Sequence, residues 1–246
     1  KTNTSYMAGV ARVRQAELWS PNIFKLTAYG DVNVNSDSVS TSTSKLVVSN
    51  IDINATRALY YYGLTGLKGF KESDIKKLNA LSHITGNAVV NTSPVKADAS
   101  VTLETFRGKA FAQISADNPW DKDRVRYNGM LSVEDVDVGL LMGSTLFGKL
   151  SMYSQLEGKG RRKGKIDARM SSHISSVGIK GYSYSDIDVN TTLNGDTFAS
   201  HIEINDPNIK ATASDTLVRH SGGRYENTLN MYLDRGHLYN LGIIKD

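Results

Sequence analysis

The chain has 246 residues, of which 39% are hydrophobic and 22% charged, with four prolines and a formal net charge of +4. That length suits one large all-β domain or two small ones, and so few prolines and charges argue against disorder. The absence of cysteine excludes disulfides and cysteine-based zinc sites, and interspersed acidic and basic residues exclude the basic stripe of a nucleic-acid binder.

No run approaches the length of apolar sequence that crosses a bilayer as a helix, and Lys1 onward has no signal-peptide pattern. A strand pattern, Val10-Ala11-Arg12-Val13, stands near the start and another, Leu229-Asn230-Met231-Tyr232-Leu233, near the end. The chain therefore reads as a piece of a longer strand array. Ile23-Phe24-Lys25-Leu26 runs into Asp31-Val32-Asn33-Val34, and Leu46-Val47-Val48 leads to Ile51-Asp52-Ile53. Ile75, Leu78 and Leu81 form one stripe, predicting a helix over 72–83 with Ser73 as its cap. Val101-Thr102-Leu103 precedes Phe111 to Ile114, whose opposite parity predicts an outward side chain or a bulge. Val138 to Phe147 reads as a short, glycine-broken helix. Ile166 to Ile174 is a strand, after which the apolar phase shifts to Val177 and Ile179, predicting a turn or bulge. From Ile187 to Ile204 almost every second side chain is apolar or small. Glycine turns at 105–109, 157–160 and 194–196 make most of these segments meander hairpins.

The pattern repeats weakly. Arg126-Tyr127 stands four residues before Leu131, and Arg224-Tyr225 four before Leu229; Asp117-Asn118-Pro119 and Asn205-Asp206-Pro207 each end a strand. The chain thus reads as a single repetitive β region, 1–246, with weak units at about 40–120, 121–217 and a partial one at 218–246. The strings Gly148-Lys149-Leu150, Leu156-Glu157-Gly158-Lys159-Gly160, Gly178-Ile179-Lys180-Gly181-Tyr182-Ser183-Tyr184-Ser185-Asp186-Ile187-Asp188-Val189, and Phe198 to Asp206-Pro207-Asn208 resemble the TamB family. The likeness is to Bacteroidota-type members of the AsmA/TamB group, and it covers residues 128–217 well and 40–120 loosely. It implies a curved sheet with an aliphatic concave interior. It also implies lipid carriage or outer-membrane-protein assembly in the periplasm of a Gram-negative cell, with an inner-membrane anchor in a segment outside this chain and an outer-membrane BamA/TamA-like barrel as partner.

The residues carry no catalytic motif. Gly158 to Lys165 lacks the Gly-Lys-Ser/Thr ending and following helix of a phosphate loop, so it reads as a solvated hairpin tip. Its Lys159, Arg161, Arg162 and Lys163 are the candidates for a headgroup or partner contact. The five histidines show no ligand spacing, and Glu134-Asp135-Val136-Asp137 lacks the pattern of a calcium loop, so no metal or cofactor is expected. Asp135 and Asp137, alternating with Val136 and Val138, read as a strand's wet face. Tyr182 and Tyr184 share a strand face, and Trp120 follows Pro119; cross-strand pairing explains such aromatics more simply than a binding platform.

The expectation is an all-β chain: an elongated antiparallel meander of about sixteen strands folded into an open hydrophobic trough, with one or two short helices. Leu103, Ile114, Val133, Met170, Ile174, Val189, Leu193, Phe198, Ile202 and Ile204 are expected to line a groove that shields the acyl chains of phospholipid or another lipid. The 72–83 helix is expected to plug or cap it. The rivals are a surface adhesin that binds glycan or protein on its outer face, and a glycan-active enzyme with converging carboxylates.

Overall fold

The computed structural model describes residues 2–7, 9–33, 42–58, 82–160, 166–241 and 244. Its strands are β1 (Thr2–Met7), β2 (Val10–Ser20), β3 (Phe24–Asn33), β4 (Thr43–Asn54), β5 (His83–Thr92), β6 (Lys96–Thr105) and β7 (Gly108–Asp117). There follow β8 (Arg126–Asp137), β9 (Phe147–Lys159), β10 (Asp167–Ile179), β11 (Tyr182–Asn194), β12 (Thr197–Asp206), β13 (Ile209–Arg219) and β14 (Tyr225–Gly236). These 14 strands form one antiparallel sheet in strict chain order, open at β1 and β14 and not closed into a barrel. Thirteen spacings of about 4.8 Å give a sheet roughly 62 Å across. Tight turns drive the meander: between β10 and β11, Lys180 and Gly181 both take positive φ, 50° and 84°, as a type I′ hairpin turn requires.

No second layer packs on the sheet among the described residues. Among the described residues only Ala55, Val125, Ile187 and Leu241 are buried hydrophobic side chains. The accessible surface is 16163 Å², about half as much again as the roughly 10,800 Å² of a compact protein of this mass.

Bulges bend the sheet and correct its phase. Extra residues lie between Val13 and Ala16 in β2, Val48 and Ile51 in β4, Val133 and Val136 in β8, and Ile174 and Ser176 in β10. Ser151 of β9 is flanked by two of them: its Oγ accepts from the Asp135 N–H (3.0 Å), and its carbonyl accepts from Ser175 Oγ (3.1 Å). Asp135 and Asp186 take positive φ, 54° and 53°, at this line. The phase shift expected after Ile174 is thus a bulge. No bulge separates Phe111 from Ile114: pairing is regular, with Phe111 beside Thr102 and Ser132 on one face and Ile114 beside Ala99 and Gly129 on the other.

The helix expected over 138–147 is shorter, Val138–Met142. Asp137 caps it by accepting from the Leu140 N–H at 2.9 Å, and Gly143, at φ 65°, ends it, so Phe147 is free to open β9. Asp135 and Asp137 therefore do not alternate with Val138 along one wet strand face, because Asp135 sits in the bulge and Val138 in the helix. The helix expected over 72–83 falls on positions outside the described residues up to 81, and His83 already belongs to β5.

Candidate functional site

Cross-strand register converts the two-residue alternation into two faces of opposite character. One row runs Leu18, Leu26, Ile51, Gly86, Leu103, Ala110, Val133, Met152, Ile174, Ile187, Ile204, Ala211, Leu233, from β2 to β14. The next row contains Val48, Ala88, Val101, Ala112, Leu131, Ser154, Ser172, Val189 and Ile202. All ten residues expected to line a groove lie on this face. None is buried: Ile114, Met170 and Phe198 are exposed and the other seven half-buried. The face has a hollow of about 490 Å³ over β5–β10, walled by side chains that include Val90, Val101, Ile114, Leu131, Met152 and Leu156. Ser154 Oγ donates to Ser172 Oγ at 2.7 Å on the floor, which leaves these two buried hydroxyls paired with each other.

The opposite face is polar and ion-paired, across strands by Arg12 with Asp31 (2.8 Å) and Lys109 with Glu104 (3.2 Å), and along β6 by Lys96 with Asp98 (3.4 Å). Exposed pairs of this kind contribute little each, about 0–1 kcal/mol, but they keep the face wet. The hydrogen bond from Ser115, aided by Lys96, holds the Asp98 carboxyl below its ordinary range. This face also carries a hollow, about 600 Å³, walled by Gln113, Asn128, Gln155, Arg169 and Asn190. Hollows on both faces are what a strongly twisted single layer produces.

The basic segment resolves into one described contact: Lys159 Nζ lies 3.1 Å from Asp167 on the neighbouring strand. Arg161, Arg162 and Lys163 lie outside the described residues. Sequence spacing missed the histidine pairings because two form across strands and the third closes the β13–β14 connection. His83 meets Asp52 (2.6 Å), His173 meets Asp188 (2.9 Å), and His220 meets Glu226 (3.0 Å). His173, Asp186 and Asp188 bring one potential ligand atom each within 4.8 Å of one another on the polar face.

The end of the sheet near the β12–β13 turn is locked by Asp206, 1% exposed. Its carboxylate accepts from Tyr182 Oη (2.6 Å), Asn208 N (2.8 Å), Ser185 N (2.9 Å) and Ser185 Oγ (3.0 Å). Burial works to raise its pKa, but these donors outweigh burial and hold it below the usual carboxylate range. The carboxylate in turn pushes the Tyr182 phenol up. Tyr182 and Tyr184 meet edge to face with ring centroids 4.7 Å apart, and Trp120 Nε1 donates to the Ser93 carbonyl at 3.1 Å. Both aromatic features therefore have structural partners.

No family model, curated protein or solved structure matches the chain.

Proposed function

We propose that this chain is a lipid-shielding segment. Its uncovered apolar face lies against acyl chains and carries them, or a membrane-protein client, across the aqueous space between two membranes of a Gram-negative envelope. One observation carries the reading: a continuous apolar face on every strand from β2 to β14, uncovered by protein among the described residues. Four rows, about 20 Å deep, on a sheet about 62 Å wide make a patch on the order of 1,200 Å². The largest apolar patch of an ordinary soluble protein is about 300–600 Å². Burying some fourteen methylenes contributes up to about 11 kcal/mol in gross terms. Because that attraction is non-directional, positions along the face differ little in energy and a chain can slide. The likeness to TamB-type strand patterns supports the same role, and with it a BamA/TamA-like barrel as partner.

The test is crosslinking with a photoactivatable fatty acid. Val189→Asp and Ile202→Glu place charge in the second row, and each is expected to abolish crosslinking while the β circular dichroism persists. Undiminished crosslinking in both folded variants would reject this face as the lipid contact.

A second reading rests on the 600 Å³ amide-lined hollow of the polar face: a surface module that binds glycan or protein there. It is expected to leave crosslinking of the apolar face absent and to lose glycan or protein binding on Asn190→Ala.

A further inference from the structure

Away from strand ends, the register places a single ionised side chain on the apolar face between β3 and β13, Asp215. It lies in one row with two hydroxyls, Thr191 of β11 opposite Ser200 of β12 and Ser200 opposite Asp215 of β13. Met170 precedes them in the row and Leu229 follows, while Val189 and Ile202 flank them along the strands. The three polar groups are half-buried, an island inside the oily face. The Asn227 side-chain amide donates to Asp215 Oδ1 at 2.7 Å, fixing the carboxylate on this side of the sheet. Among the described residues no Lys or Arg ion pair neutralises Asp215. On the polar face, by contrast, Asp31, Glu104, Asp167 and Asp234 each have a cationic partner on the neighbouring strand, and Asp98 has one, Lys96, on its own strand.

A carboxylate set among aliphatic side chains has spare acceptor capacity and a negative charge, and it lacks a protein cation. We propose that Asp215, with the Ser200 and Thr191 hydroxyls, seats the ammonium end of an amphiphile whose chain lies along the apolar face toward the β5–β10 hollow. This rests on the lipid-shielding reading and narrows it: the cargo carries a positively charged amine at its polar end. Charge complementarity selects that occupant over an anionic one, because a carboxylate headgroup at the same position meets like charge. Hydroxyl donors at the neighbouring positions accommodate the remaining polar atoms of the head.

The experiment compares dodecylamine, dodecanol and dodecanoate, each below its micelle concentration at low salt, by displacement of a fluorescent acyl probe from the intact chain. Wild type is expected to bind the amine roughly tenfold more tightly than the carboxylate, from attraction in one case and repulsion in the other at a half-exposed site. Asp215→Asn is expected to erase that preference and leave dodecanol binding unchanged. Asp215→Glu is expected to keep it, and Asp188→Asn, on the polar face with the same change in net charge, to leave it intact. Equal binding of amine and carboxylate by wild type, or a preference that survives Asp215→Asn, overturns the seat and leaves the groove standing. Failure of all three ligands to displace the probe overturns the lipid-shielding reading itself.

Discussion

Replacing Asp206 by Asn is the sharpest test of how the β11–β13 end of the sheet is held. Four hydrogen bonds converge on the carboxylate, two from backbone N–H groups, Ser185 and Asn208, on opposite oxygens. An asparagine offers one carbonyl oxygen in place of two carboxylate oxygens, so its NH₂ must face one of those backbone donors. One N–H is left buried without an acceptor, at about 1–3 kcal/mol, and the remaining bonds lose their charge assistance, at about 1 kcal/mol more. The expected destabilisation is about 2–4 kcal/mol. Hydrogen exchange at neutral pH reads it locally, as faster exchange of the Ser185 and Asn208 amides. Acid supplies the sign check. The folded-state pKa lies below the ordinary 3.8, so the charged form is the one the fold stabilises. The wild-type advantage is fully present above the unfolded-state value near 4 and shrinks as pH falls through the lower folded-state value. Protection of these amides in Asp206→Asn equal to wild type, or a difference that stays constant from pH 6 to well below 4, would show that the carboxylate does not hold this turn.

The buried Ser154–Ser172 pair is expected to behave as a coupled unit. Either single alanine leaves a hydroxyl without its partner and costs about 1–2 kcal/mol, whereas the double alanine is nearly neutral, as a denaturation double-mutant cycle would register. Gly86→Ala is expected to unpair β5 from β6, because a Cβ there overlaps the Thr102 carbonyl oxygen; loss of amide protection in 84–90 is the measurement. Asp121, bonded first by the Arg124 side chain and then by the Asp123 and Arg124 N–H groups, is expected to titrate at about 2. NMR should find its pKa moved toward the ordinary value in Arg124→Gln.

Period-two alternation made the sheet legible. In Val189, Leu193, Phe198, Ile202 and Ile204 the apolar parity survives pairing, so reading one strand reads its face. Strand count and helix ends were less legible because they depend on single residues: Gly143 stops a helix that Leu146 and Phe147 would extend by hydrophobicity alone. What alternation cannot report is adjacency across strands. His173 and Asp188 lie 15 residues apart in sequence, and Thr191, Ser200 and Asp215 span three strands. Asp206 is a different case, since the Asp-Pro-Asn string was visible while its donors, Tyr182 and Ser185, sit 24 and 21 residues upstream.

The bulges bear on whether the oily face is incidental. A strand that slips by one residue turns its following apolar side chains to the other face. The sequence slips twice near the Ser151 line, from Val133 to Val136 and from Ile174 to Val177. In each case the extra residue is looped out where Ser151 faces two residues instead of one, and pairing resumes with Val136 beside Leu150 and Leu150 beside Val177. Regular pairing at either slip would send Val136 and Val177 to the charged face. The backbone instead departs from regular geometry, with Asp135 and Asp186 left-handed, and the apolar face continues. That continuity keeps apolar side chains beside one another across the strands, which stabilises the sheet by itself. The phase correction on β8 and β10 thus keeps Val136, Leu150 and Val177 in line with the face that the proposed lipid-shielding role uses.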